Sequence, residues 1–162
     1  MHRLVLNKMK SRLPEGTELK LFPFSIKKNA NIYGIVFGAK SYAAVHKFLT
    51  ISWKRNELNG EADFDIDEDK KKDQLSLFEE KRMTKIEKFQ TDLETKLLNK
   101  NSCTNKDVLL YTYQCGHIPK HAEIVLKRLK SEKKLNFETK TPYLTYENVF
   151  RNKNIVTYHL NK

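Results

Sequence analysis

Between residues 118 and 134, Ala122, Val125, Leu126 and Leu129 fall within about 100° of one another on a helical wheel, while Lys120, Lys127, Ser131 and Lys134 centre on the opposite side. No other feature of the chain restricts its fold as tightly. Such a segment must bury one stripe against other elements and leave a charged face in water. Glu123, Ile124 and Arg128 lie at the margins of that face. Pro119 suits a first helical turn, and Gly116 is placed to end whatever helix precedes it.

The segments before and after supply the partners. Met83, Ile86, Phe89 or Gln90, Leu93 and Leu97 describe an amphipathic helix from Glu79 to Lys100. Asn101 to Thr104 interrupts it, and Thr104 caps a second helix from Asn105 to about Gln114 with Val108, Leu109 and Thr112 inward. After the third helix, Leu135-Asn136-Phe137 and Ile155 to Leu160 alternate as strands across a 17-residue connection, in which Thr145 to Phe150 predicts a helical turn. Three helices, a strand, a basic loop and a returning strand is the order of a winged helix-turn-helix, expected over residues 79–162.

The N-terminal part reads differently. Leu4, Val5, Met9 and Leu13 place a short helix before the turn at Pro14-Glu15-Gly16. Leu19, Leu21 and Phe24, then Ile32 to Phe37, predict a β-hairpin, and the second strand is apolar on both faces, as a strand inside a sheet would be. A lone hairpin is marginally stable, so that strand calls for a further neighbour. Ser41 caps a helix reaching about Trp53. The expected fold is therefore α+β: an α-β-β-α unit at residues 1–55, an acidic linker at 56–78, and the winged helix-turn-helix.

Charge separates along the same boundaries. Glu57 to Glu80 carries a net −7, so the rest of a chain with net charge +11 carries +18. A basic excess of that size attracts polyanions, DNA first. The longest uncharged apolar run, Ile32 to Ala39, is too short to span a bilayer, which excludes a membrane segment here, and two cysteines build no disulfide framework. A cytoplasmic setting follows. The glycines stand singly at 16, 34, 38, 60 and 116, so no phosphate or dinucleotide loop exists, and no hydrolase or metalloprotease motif occurs. Cys115-x-His117-x-x-x-His121 holds zinc-type ligands, but as a structural set Cys115 and His117 pack a turn and His121 lies on the surface. Asp63 to Asp69 resembles a calcium loop without its central Gly or its final Glu, and reads as linker. The sequence predicts no enzyme, no cofactor and no metal.

The succession Ile32-Tyr33-Gly34-Ile35-Val36-Phe37-Gly38-Ala39-Lys40, a helix, Phe64-Asp65-Ile66-Asp67, then Gln74-Leu75-Ser76-Leu77-Phe78-Glu79 resembles the C-terminal third of three-Cys-motif partner proteins. Those are bacterial proteins with a methyltransferase-like Rossmann domain followed by a small winged helix. Gly116 to Ala122 followed by Val125-Leu126-x-x-Leu129 is similar to that family's winged-helix core. The resemblance implies that the N-terminal hairpin is the remnant of a Rossmann-like sheet. The family's nucleotide-fold core has no counterpart in these residues, so no methyltransferase activity or cofactor residue carries over.

Two functions compete. In the first, the chain binds double-stranded DNA, mainly through phosphates, with Lys120, His121, Ile124, Lys127, Arg128, Ser131 and Lys134 on the third helix and Lys140, Arg151 and Lys153 in the wing. The helix carries no Asn or Gln and one Arg, so base reading is limited. In the second, the chain is an assembly module, with Tyr33, Ile35 and Phe37 at the interface of a homodimer or of an upstream methyltransferase-like polypeptide.

Overall fold

The computed structural model describes residues 2–28, 31–60 and 83–161, and divides into two compact units, Met1–Arg82 and Met83–Lys162. Most of the expected linker, the apolar Gln74 to Phe78 stretch, the calcium-like Asp63 to Asp69 run and residues 79–82 of the helix expected from Glu79 lie outside the described residues; Met83, expected on that helix's inward face, is instead exposed ahead of a helix that Thr84 caps.

The first unit contains α1 (His2–Lys10), β1 (Lys20–Lys28), β2 (Asn31–Ala39) and α2 (Tyr42–Arg55). The two strands form the expected hairpin, antiparallel from Lys20 opposite Ala39 to Lys28 opposite Asn31. Directly opposed residues share a face, so Phe22, Phe24 and Phe37 point one way. Phe48 of α2 meets all three, stacking on Phe37 with ring centroids 4.1 Å apart. Ser41 caps α2 by accepting a hydrogen bond from the Ala43 amide. Val45, Leu49 and Trp53 bury the inner side of the helix. Gly60 follows at φ +71°, and a Cβ there would come within 2.5 Å of the Trp53 indole, so the indole closes over bare backbone.

Two expectations are corrected here. Among the described side chains of α1 the buried one is Leu6, while Leu4, Val5 and Met9 are exposed. Leu6 takes the side of α1 that packs against β1, and the half-buried Leu13 lies past the end of the helix, so it cannot extend a helical line through Leu4 and Val5. Nor is β2 interior to its sheet. Among the described residues β1 is its one strand partner, and Tyr33 and Ile35 stay half exposed.

The second unit contains α3 (Lys85–Leu98), β3 (Ser102–Thr104), α4 (Asn105–Gln114), α5 (Pro119–Ser131), β4 (Leu135–Asn136), a π-helical turn (Glu147–Arg151) and β5 (Thr157–Leu160). Capping boxes start the first two helices. Thr84 accepts from the Glu87 amide at 3.1 Å while its own amide donates to the Glu87 carboxylate at 2.7 Å, and Thr104 and Asp107 repeat the exchange. The Thr104 bonds hold the Asp107 carboxyl below the usual carboxylate range. Gly116, at φ +75°, ends α4, with the His117 amide returning to the Thr112 carbonyl.

The core is the one the periodicity predicts. Ala122, Val125, Leu126 and Leu129 are buried together with Leu93, Leu97, Val108 and Leu109. Each large side chain contributes roughly 1.5–3 kcal/mol by leaving water. The sheet runs β3-β5-β4, all antiparallel, so the two predicted strands do share one sheet. Its third member, β3, occupies the stretch read from sequence as a mere interruption. Asn105, fully buried, ties the wing to α4: its amide nitrogen donates to the carbonyls of Tyr143 and Asn154, and its oxygen accepts from the Val156 amide.

Candidate nucleic-acid interface

The face of α5 opposite its buried stripe carries Lys120, Ile124, Lys127, Arg128 and Ser131, all exposed, with Ile124 at 49%. The first turn of the helix has no acidic residue, and its N-cap, Ile118, offers no side-chain acceptor. Pro119 brings no amide hydrogen and the His121 amide returns to the Ile118 carbonyl at 3.1 Å, so this end attracts anions through the helix dipole more than through free amides.

The cations on this side are not isolated. Arg128 donates to Glu94 of α3 at 2.6 Å, Lys127 to Glu123 at 3.3 Å, and Lys134, in the turn after the helix, to Glu132 at 2.7 Å. Lys120 makes no ion pair among the described residues. Exposed pairs of this kind are worth about 0–1 kcal/mol, so phosphates can compete for Lys127 and Arg128. The neighbouring carboxylates nevertheless weaken the field that a count of lysines and arginines suggests. Composition could not show this, because Glu94 meets Arg128 across 34 residues of chain.

The wing candidates separate. Lys130 of α5 donates to the carbonyls of Phe137 and Thr139 and lies 3.7 Å from the Phe137 ring centroid, pinning the start of the connection to the helix. Lys140 follows directly and is exposed. Arg151 and Lys153, also exposed, belong to the part of the connection that Asn105 holds against α4, at the end of the π-helical turn. The wing is thus a folded connection, with Leu144 and Val149 buried, rather than an extended basic arm.

His121 does not belong to the exposed face. It is buried, and its Nδ1 lies 3.0 Å from the Nδ1 of the buried His117, which stacks on Phe89 with centroids 4.1 Å apart. Its place beside Val125, at the margin of the apolar stripe, turns it inward. One ring of the pair donates an Nδ1–H and the other accepts, so at least the accepting ring is neutral. Burial, with Lys85 and the partner imidazole near His117 and with Lys120 and Lys85 near His121, pushes the pair down to about 3 and about 4 respectively. The sequence signal for this pairing was the i, i+4 spacing itself, which equally suggested a metal. The Cys115 thiol hydrogen-bonds to Tyr111, and among the described residues no three metal-capable side chains converge.

Residues 63–142 match the family model of the GMT-like wHTH domain. The chain therefore contains a winged helix-turn-helix domain. The matched stretch covers α3 through β4 and stops before the π-helical turn and β5, which the geometry adds to the same sheet. No curated protein and no solved structure matches the chain significantly. Winged helix-turn-helix domains are in general nucleic-acid binders, docking the helix that here is α5. Among the described residues no helix is long and apolar enough to cross a membrane.

Proposed function

We propose that the second unit binds double-stranded DNA through the exposed face of α5 and the start of the wing, and that most of the contacts go to phosphates. The observation that supports this reading is the placement of Lys120, Lys127 and Arg128 opposite the buried stripe of the third helix in a winged-helix fold, with Lys140 fastened beside that helix by Lys130. Phosphates draw Lys127 and Arg128 away from Glu123 and Glu94, and the first turn of α5 brings no carboxylate to oppose them. Ile124 is the one large apolar side chain on this face and suits a thymine methyl. Without Asn or Gln on the helix, discrimination among sequences is weak. No catalytic step is assigned to any residue.

The test is duplex binding by the triple variant Lys120→Glu/Lys127→Glu/Arg128→Glu. These side chains lie outside the core, so near-ultraviolet dichroism of the tyrosines should keep the wild-type signal while binding is lost. Unchanged affinity in a folded triple variant would remove α5 from the function. A second reading, assembly, is favoured by one observation in the first unit, that among the described residues β2 pairs on one side only.

A further inference from the structure

The two edges of the hairpin differ in kind. Pro23 sits in mid-strand on β1 opposite Val36 and has no amide hydrogen to give. That pair is therefore one whose backbone groups point away from the partner strand, and by alternation the outward groups of β2 belong to Gly34, Val36 and Gly38. The outer edge of β1 thus lacks a donor at its centre, a device that keeps an edge from pairing. The outer edge of β2, Asn-Ile-Tyr-Gly-Ile-Val-Phe-Gly-Ala, has no charge and no proline over nine residues. An edge of that character pairs.

We propose that two copies of this chain associate by antiparallel pairing of β2 with β2 about a two-fold axis at Ile35. This inference does not depend on nucleic-acid binding. The register is set by the sequence of the strand itself. With Ile35 opposite Ile35, Tyr33 meets Phe37 twice on the face that Phe48 already lines, and Gly34 meets Val36 twice on the other. The outward amides and carbonyls of Gly34 and Val36 then exchange hydrogen bonds, as the Pro23 argument requires. Aromatic faces aromatic and small faces large, a self-complementarity that an isologous interface needs. The strand also lets two chains of net charge +11 meet without a charge at the seam.

Size agrees with a reversible dimer. Tyr33 and Ile35 are exposed to 50% and 45%. Together these leave on the order of 200 Å² of apolar side chain open beside the edge, well under the roughly 800 Å² per partner of a standard interface, so the paired backbones carry most of the contact and the association is weak.

Sedimentation equilibrium across the micromolar range, in high salt to suppress charge repulsion, tests this. The mass should rise from 19.1 kDa to twice that value and stop. Val36→Pro removes an outward donor and leaves the bonds to β1 intact, as Pro23 does opposite it, and should weaken association at least tenfold. Ile35→Lys, which places two cations at the axis, should do the same. Burial of Trp53, read by fluorescence, reports whether each variant keeps the first unit folded, and if Val36→Pro does not, Ile35→Lys decides. A wild-type mass of 19.1 kDa throughout would overturn the proposal and leave the edge to a different polypeptide. So would growth beyond the dimer, or folded variants that associate like the wild type.

Discussion

Lowering the pH should unfold the second unit well before its carboxylates are exhausted, because His117 and His121 are buried as a neutral pair. In the unfolded chain each imidazole titrates near 6.5, whereas in the fold the pair is pushed down to about 3 and about 4. The unfolded state therefore binds more protons throughout the interval between those values. Folding stability contributed by the pair is complete above about pH 6.5 and falls as the pH drops below it. Each proton taken up only by the unfolded state costs about 1.4 kcal/mol per pH unit. Two histidines thus remove roughly 2–4 kcal/mol between pH 6.5 and 5, an appreciable share of the 5–15 kcal/mol of a small domain. For a unit of this length that is a loss of roughly 10–25 °C in Tm. Trp53 fluorescence reports the first unit alone, while five of the seven tyrosines lie in the second, so a loss of the near-ultraviolet tyrosine signal that precedes any change at Trp53 reports the second unit. Melts at pH 7.5 and 5 should show the drop in wild type and lose most of it in His117→Gln/His121→Gln, even though that variant is less stable at neutral pH. An equal acid-induced drop in both proteins would refute the buried-pair account and return the effect to the carboxylates.

Two further outcomes follow from particular bonds. Glu94→Gln releases Arg128 from its 2.6 Å pair and removes a negative charge beside the duplex, so affinity measured by fluorescence anisotropy should rise about two- to fivefold at low salt and converge with wild type at high salt. Asn105→Ala leaves the carbonyls of Tyr143 and Asn154 and the amide of Val156 without their partner, which should cost about 2–4 kcal/mol in urea unfolding and expose the wing first, seen as hydrogen exchange at Val156 and Tyr158.

The helices of the second unit were legible because each carries its own punctuation. Thr104 begins α4, Gly116 ends it, Pro119 begins α5, and the stripe of α5 repeats at the helical period over three turns. Strand β3 was not legible, since three residues hold no alternation and become a strand only by pairing with β5 from the far end of the chain. His121 was misplaced for a related reason: as a polar residue at the edge of an apolar stripe it was assigned to water, and its inward turn is decided by His117, which lies in a loop. In the first unit the hairpin was evident from its apolar runs. The inward side of α1 was not, because five apolar residues in eleven do not say which of them the sheet will take.

The claim that the α5 face binds nucleic acid electrostatically is tested most directly by the salt dependence of duplex affinity, measured together with backbone amide shifts on the ¹⁵N-labelled chain. With Lys120, Lys127, Arg128 and Lys140 on phosphates, log K should fall with log salt at a slope of about −3 to −4. The shifts should centre on Lys120, Ile124, Lys127 and Arg128. A slope near zero, or shifts that leave α5 untouched, would contradict it.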